Sequence, residues 1–373
     1  MAKNWKKIVR RYIVRPVAYG VVFRLYPDLA ARYLLRKELA AIRKEADKFF
    51  ASGAPLPEGA SREDFYQAMN KHYVSISEYL HQYEFYRLTE EERDEFISRS
   101  LMRAVSCKLR MKYPNDFHGL PLQKDKFLAR FTALGFCKRR WLYTPQCTYE
   151  QFADLLSSTE CVIKPHDGSL GFGVKKVPAQ TDPVQIKSLY DKCVQGSMII
   201  EECLHGCDAI QAFHPQSLNT IRFVTVAFRG KAFPFGAFLR MGIGDMIIDN
   251  AHAGGLFAQI NMETGVIESE GITTEGLRVE RHPDTNMLIK GTQIPRWNEV
   301  VDFCVSAARQ TKNTVSGWDV IITDKGTLEF IEANNRPDFD VMQSPLKIGV
   351  KRKVLDMLSE VVGKEMKIDG FTH

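Results

Sequence analysis

The chain has 373 residues, 45% of them hydrophobic, a formal net charge of +6 and eight cysteines. That composition can bury a sizeable core in two or three domains or one large composite one. No signal peptide is apparent, the apolar run "PVAYGVVF" (16–23) falls far short of the ~18–20 residues of a membrane span, and the scattered cysteines have no partners at zinc spacing. A spanning protein, a disulfide scaffold and a zinc module are therefore excluded, and the thiols read as free in a reducing cytoplasm.

Charge is uneven. Residues 1–45 hold twelve Lys or Arg against three Asp or Glu, a local net of +9, which leaves the remainder near −3. The arm "MAKNWKKIVRRYIVRPVAYGVVFRLYP" (1–27) mixes these cations with Trp, Tyr, Val and Phe. It suits the inner face of a membrane, and equally a basic helix packed on the rest of the chain. No aromatic stacking sheet or reading helix accompanies it, so nucleic acid is not expected as a partner.

Helical spacing predicts a helix over 26–50 and another over 62–88, with "ASGAPLPEGAS" (51–61) as the loop between them. The segment 89–109 opens on Thr89 with Glu92 three residues later, a capping box. "YPNDFHGLPLQ" (113–123) reads as a linker. Beyond about 125 the pattern alternates. Strands are expected at 160–164, 173–178, 197–202, 221–228, 231–240, 255–260, 265–269, 317–323 and 328–333, with helices at 149–157, 183–193, 296–312 and 347–361. "AFRGKAF" (227–233) is a hairpin turning on Arg-Gly. Antiparallel hairpins mixed with helices indicate an α+β domain rather than a doubly wound parallel sheet.

Four segments carry chemistry. "CVIKPHDGSLGFGVKKV" (161–177) ends a strand at Lys164 and follows it with Gly168, Gly171 and Gly173. Backbone N–H groups in such a loop can wrap an anion beside the lysine; a plain glycine hairpin would look the same. "SMIIEECLHG" (197–206) runs an apolar strand into Glu201 and Glu202, either a hinge that reads adenine or a solvated strand end. "SLNTIRFVTV" (217–226) embeds Arg222 in an apolar strand, where it needs a partner or an anionic ligand, and "DNAHAGG" (249–255) is a polar, flexible loop that suits a substrate; His252 in it also reads as a hydrogen-bonded structural histidine.

Finally, Asp319 lies on one strand, with Glu332 and Asn334 on the next across the turn "TDKGT" (323–327). Residues two apart on a strand share a face, so these oxygens can converge on Mg²⁺ or Mn²⁺; a merely polar strand end is the alternative.

In this order the segments resemble the ATP-grasp superfamily over roughly residues 120–345. "SLNTIR" and "DNAHAGG" make the chain similar to the sugar-transfer-associated branch linked to cell-surface polysaccharides, and it also resembles ribosomal-protein glutamate ligases and D-alanine–D-alanine ligases. The resemblance implies two α+β subdomains gripping ATP, with a helical N-terminal region (1–115), a pre-grasp lysine segment (116–160), a lid and hinge (161–215) and a metal and substrate subdomain (216–373). It implies that Lys126 and Lys164 reach the phosphates under a lid of Gly168, Ser169, Gly171 and Gly173. Glu201 and Glu202, with the backbone of Cys203 and Leu204, would meet adenine, Asp208 the ribose, and Asn250 would add a cofactor contact. Arg222, Arg240 and His252 would serve catalysis, and Asp319, Glu332 and Asn334 would hold two Mg²⁺. The glutamate ligases carry Arg where this chain has Ala253, so Arg240 is the candidate replacement.

The implied activity is an ADP-forming ligase that joins a carboxylate to an amine through an acyl-phosphate, with an amino acid and a uronic acid of a polysaccharide or its precursor as the expected pair. A peptide-type ligase and a non-catalytic ATP-binding module stay open. The expected location is cytoplasmic or peripheral on the inner membrane face.

Overall fold

The computed structural model describes residues 27–80, 82, 88–112, 124–167, 173–246, 249, 254–274, 276–311, 313–334, 337 and 339–363. The arm (1–26) and the linker at 113–123 lie outside these residues. The chain divides into two compact units, residues 119–337 and residues 1–118 together with 338–373. The boundary at 337/338 falls inside the stretch expected as one C-terminal subdomain.

The first unit opens with α1 (Pro27–Ala51), which buries Ala31, Leu35, Ile42 and Ala46 along one stripe. The single helix expected over 62–88 is instead α2 (Arg62–His72) and α3 (Ile76–Leu80). The break comes at Tyr73, whose backbone turns left-handed (φ 57°) and donates its N–H to Met69 C=O, a C-cap no sequence period announces. Phe65, Met69 and Tyr79 then pack against Ile42 and Ala46. The Thr89 capping box forms as expected, with Glu92 N–H donating to Thr89 and Thr89 N–H to Glu92. Its helix α4 (Glu90–Glu95) is short because Phe96 is extended, and α5 (Arg99–Lys112) follows as a separate helix.

The second unit holds two sheets, antiparallel at every described pairing. It begins with α6 (Lys124–Ala133), β1 (Trp141–Tyr143) and α7 (Tyr149–Ser158). Then come β2 (Cys161–Pro165), β3 (Lys175–Val177), α8 (Pro183–Gln195) and β4 (Met198–Glu202). These strands form a four-stranded sheet in the order β1-β4-β2-β3. Side chains alternate across it, so Cys161, Ile163 and Ile200 meet Phe152, Leu155 and Leu156 of α7 and Ile186 of α8, while Lys164 and Glu201 point to the opposite face.

After the single turn α9 (Asp208–Gln211) come β5 (Thr220–Phe228), β6 (Lys231–Met241), β7 (Leu256–Ile260), β8 (Gly271–Ile272), β9 (Arg278–Val279), α10 (Trp297–Arg309), β10 (Val315–Ile322) and β11 (Leu328–Asn334). The second sheet has seven strands in the order β11-β10-β5-β6-β7-β8-β9. The β5–β6 turn is the expected Arg-Gly pair, with φ 48° at Arg229 and 81° at Gly230, the signs of a type I′ hairpin.

The strand expected over 265–269 is absent. Asn261 Oδ1 instead accepts from the N–H groups of Glu263 and Thr264, and only single bridges remain, Ile260 to Ile267 and Val266 to Gln293. A local turn anchored by an Asn side chain outcompetes the ladder here.

One face of the large sheet packs Ile221, Phe223, Leu239, Met241, Ala258, Trp318 and Val320 with Phe131 of α6 and Val300 and Cys304 of α10. The other face carries the charged residues described below. The short α11 (Asp340–Gln343) and α12 (Lys351–Val362) belong to the first unit. No helix of the described residues is long and apolar enough to cross a membrane, and Cys137, Cys147, Cys161, Cys193, Cys203, Cys207 and Cys304 are free.

Candidate active site

Register fixes the charged face. Glu332 of β11 lies opposite Asp319 of β10, Asp319 opposite Arg222 of β5, and Arg240 of β6 opposite Thr220 of β5. Opposed residues share a face, so three strands deliver one ionic cluster. Arg222 holds Asp319 through two hydrogen bonds, from Nε and from Nη2 (3.0 Å), and Arg240 Nη1 reaches the same carboxylate at 2.9 Å. Arg240 Nη2 also donates to Asp249 Oδ1 at 3.1 Å, and Asp249 in turn accepts from the backbone N–H and the hydroxyl of Thr220. Asp249, from the "DNAHAGG" segment, is thus Arg240's second partner.

The two neighbouring carboxyls diverge. Burial disfavours the charge on Asp319, but Arg222 and Arg240 outweigh it and hold the group below its ordinary range. Glu332 is pushed up by burial and by the Asp319 charge beside it. Asn334 is half-buried and lies opposite Gly317 at the end of β11.

A β-bulge aims Glu332. Phe330 opposes Val320 and faces the core, whereas Glu332 opposes Asp319 and faces the charged side. Two residues apart on a regular strand would share a face. Ile331 is the extra residue in that register, and it turns the strand over between them.

On the small sheet Lys164 and Glu201 form a buried ion pair, and Arg139 Nε reaches the same Glu201 at 2.9 Å. Burial again opposes the Glu201 charge, and Arg139 and Lys164 keep the group below its ordinary range. Glu201 is therefore committed to two cations. Glu202 alternates to the other face, where it accepts from Arg140. After β4 comes Cys203, whose N–H donates to Glu160 C=O and whose thiol is pushed up to about 12, mainly by burial. Leu204 is half-buried, and Asp208 is exposed at the start of α9. Gly173 sits at φ 76°, close against the Pro165 ring. Gly168, Ser169, Gly171, Asn250, His252 and Ala253 lie outside the described residues.

Of the two lysines on the first turn of α6, Lys124 turns toward the cluster and Lys126 does not. Lys126 is exposed. Lys124 is half-buried with Glu332, Lys164, Glu201 and Asp167 as its charged surroundings; burial, with Lys164, lowers its affinity for a proton. The signal was present in helical phase: Lys124, Phe127, Leu128 and Phe131 recur at i, i+3, i+4 and i+7, and the last three are buried. Lys126 lies on the opposite side of that helix. Arg139 gave no such signal, because Arg-Arg before a short strand reads as surface.

Residues 132–357, more than half of the chain, match the family described as sugar-transfer associated ATP-grasp. Among solved structures, the chain is similar to the ATP-grasp ligase PsnB complexed with minimal precursor, at 16% identity over 73% of this chain and 71% of that one, with a TM-score of 0.41. It is similar to D-alanine–D-alanine ligase from Bacillus anthracis at 16% identity, 65% and 67% coverage and a TM-score of 0.37. Against L-amino acid ligase from Bacillus licheniformis the values are 13%, 73% and 57%, and 0.41. No curated protein matches. The α+β fold, the antiparallel sheets and the matched family agree, and the chain belongs to the sugar-transfer associated ATP-grasp family.

Proposed function

We propose that the protein is an ADP-forming, ATP-dependent carboxylate–amine ligase that joins an amino acid to a uronic acid of a cell-surface polysaccharide or its precursor. The observation that carries the reading is the environment of Lys124, which has Glu332 of the large sheet and Lys164 and Glu201 of the small sheet as charged neighbours. Cations suited to phosphate and carboxylates suited to a divalent metal thus occupy one region.

A magnesium pair suits the donor set. Asp319, Glu332 and Asn334 offer hard oxygens, and the crowding that raises Glu332 is what a divalent cation relieves. When bound, the metal would neutralise charge on the β- and γ-phosphates.

The chain's own residues have the following parts. Lys164 and Lys124 bind phosphate oxygens. Arg222 and Arg240, preorganised by Asp319 and Asp249, face charge that develops during phosphoryl transfer. A carboxylate is a poor acyl donor because its leaving group is oxide. Its oxygen attacks the γ-phosphorus, the bridging bond to ADP breaks, and an acyl-phosphate forms. The amine nitrogen then attacks the acyl carbon, phosphate leaves, and a proton is released. The glycine loop at 168–173 would exclude water from that intermediate. Residues 1–27 would hold the enzyme at a membrane surface near a lipid-linked sugar.

The test is ATP turnover with Mg²⁺ and pooled uronic acids and amino acids, with ADP resolved from AMP and Glu332→Ala as control. ADP that requires both an acid and an amine, and that disappears in the control, is expected. AMP as product would exclude the acyl-phosphate route.

A further inference from the structure

We infer that Arg139 is a positioning residue that sets both halves of the nucleotide site at once. It fixes the β11 bulge that turns Glu332 toward the charged face and, through Glu201, holds Lys164. The inference rests on the ligase reading for the roles of Glu332 and Lys164, and on geometry for everything else.

Arg139 is 3% exposed, and its guanidinium spans the two sheets. Nε donates to Glu201 Oε2 at 2.9 Å on the small sheet. Nη1 donates to Glu329 Oε2 at 3.2 Å and to Phe330 C=O at 2.7 Å, and Nη2 reaches Ile331 C=O at 3.4 Å. Phe330 and Ile331 are the residue before the register shift and the extra residue itself. A bulge leaves backbone groups outside the ladder, and a buried one needs partners for them. The planar fork of arginine supplies several donors at fixed angles; a lysine ammonium cannot reproduce that pattern.

Charge agrees with the assignment. Arg139, Lys164, Glu201 and Glu329 are each at most 5% exposed, two cations against two anions. Without Arg139, Glu201 keeps only Lys164, and the guanidinium that grips the carbonyls of 330 and 331 is gone, which leaves the Cys137 thiol on Phe330 C=O at 3.5 Å. Relaxation of the bulge toward regular pairing would rotate Glu332 toward the face of Phe330. One substitution should therefore weaken two functions that Lys164 and Glu332 otherwise perform separately.

The experiment uses the full chain, with Arg139→Lys and the charge-balanced pair Arg139→Met/Glu329→Gln. Mn²⁺ binding is read by electron paramagnetic resonance, ADP binding by calorimetry, and amide exchange over residues 329–333 by mass spectrometry. The urea midpoint serves as a check on folding. Partners that orient metal ligands typically change metal affinity about 10–100-fold. Loss in that range for Mn²⁺, with weaker ADP binding and faster exchange at 329–333 in folded Arg139→Lys, is expected. Glu332→Ala should reproduce only the Mn²⁺ loss, and Lys164→Ala only the ADP loss. Wild-type affinities and exchange in folded Arg139→Lys would overturn the inference, as would an effect confined to ADP. If the wild-type chain binds no nucleotide, the ligase reading fails, and exchange at 329–333 still decides whether Arg139 holds the bulge.

Discussion

Asp319 and Glu332 face each other across β10 and β11 and share one proposed role, yet removing their charges should move stability in opposite directions. Asp319 is 2% exposed and takes three hydrogen bonds from two arginines. Asp319→Asn keeps the shape and strips the charge. Breaking one side of a buried ion pair costs about 3–5 kcal/mol, and Arg240 keeps Asp249, which places this case near the lower end. For a unit of this size that is roughly 6–12 °C in melting temperature. Glu332 has the reverse balance. Its carboxyl is raised by burial and by Asp319, so ionised Glu332 destabilises the metal-free protein. Glu332→Gln should stabilise it by roughly 0.5–2 kcal/mol, the usual scale of a single stabilising substitution.

Thermal unfolding of the metal-free full chain at pH 7 reads both. The pH dependence follows from the same signs. As pH falls through the raised value of Glu332, the wild type takes up the proton, and the advantage of Glu332→Gln shrinks toward zero. The Asp319 contribution is full above the ordinary carboxylate range and fades as pH falls from there through that group's depressed value, so the Asp319→Asn deficit outlasts mild acidification. Adding Mg²⁺ with ADP should stabilise the wild type and not Glu332→Gln. Destabilisation by both variants without metal would instead make Glu332 a structural partner of the arginines.

Two further substitutions test other parts of the unit. Lys124→Ala should lower the affinity for a fluorescent ATP analogue by about tenfold or more, on the scale of a charge-assisted hydrogen bond, while Lys126→Ala should leave it unchanged; the reverse order would restore Lys126 as the phosphate ligand. Gly265→Ala should destabilise the fold by roughly 1–3 kcal/mol in urea unfolding, because the added methyl would meet Trp297 Cγ at 2.4 Å on a backbone held at φ 73°; an unchanged midpoint would mean that the loop moves aside freely.

Much of the large sheet was legible in the chain. The alternation in "TIRFVTVAF" (220–228), the Arg-Gly turn and the capping box at Thr89 are local signals, and each formed where its pattern stands. Arg222 in an apolar strand announced a partner or an anionic ligand by the cost of an unpaired charge, and Asp319 is its partner. The helix break at Tyr73 and the turn anchored by Asn261 were not announced, because a left-handed cap and a side-chain-to-backbone bond depend on geometry that periodicity does not encode.

Sequence alone determined which residues carry charge and which strands carry core: Lys164, Arg222, Asp319 and Glu332 are written into apolar segments whose burial forces them to find partners. Which way they point is set by pairing between distant strands. In "LEFIEAN", strict alternation sets Glu332 on the side of Phe330, and one unpaired residue, Ile331, places it on the other. That residue's carbonyl is held by Arg139, nearly two hundred positions earlier in the chain. Strand register is a contact between distant segments, so no local pattern could have fixed it.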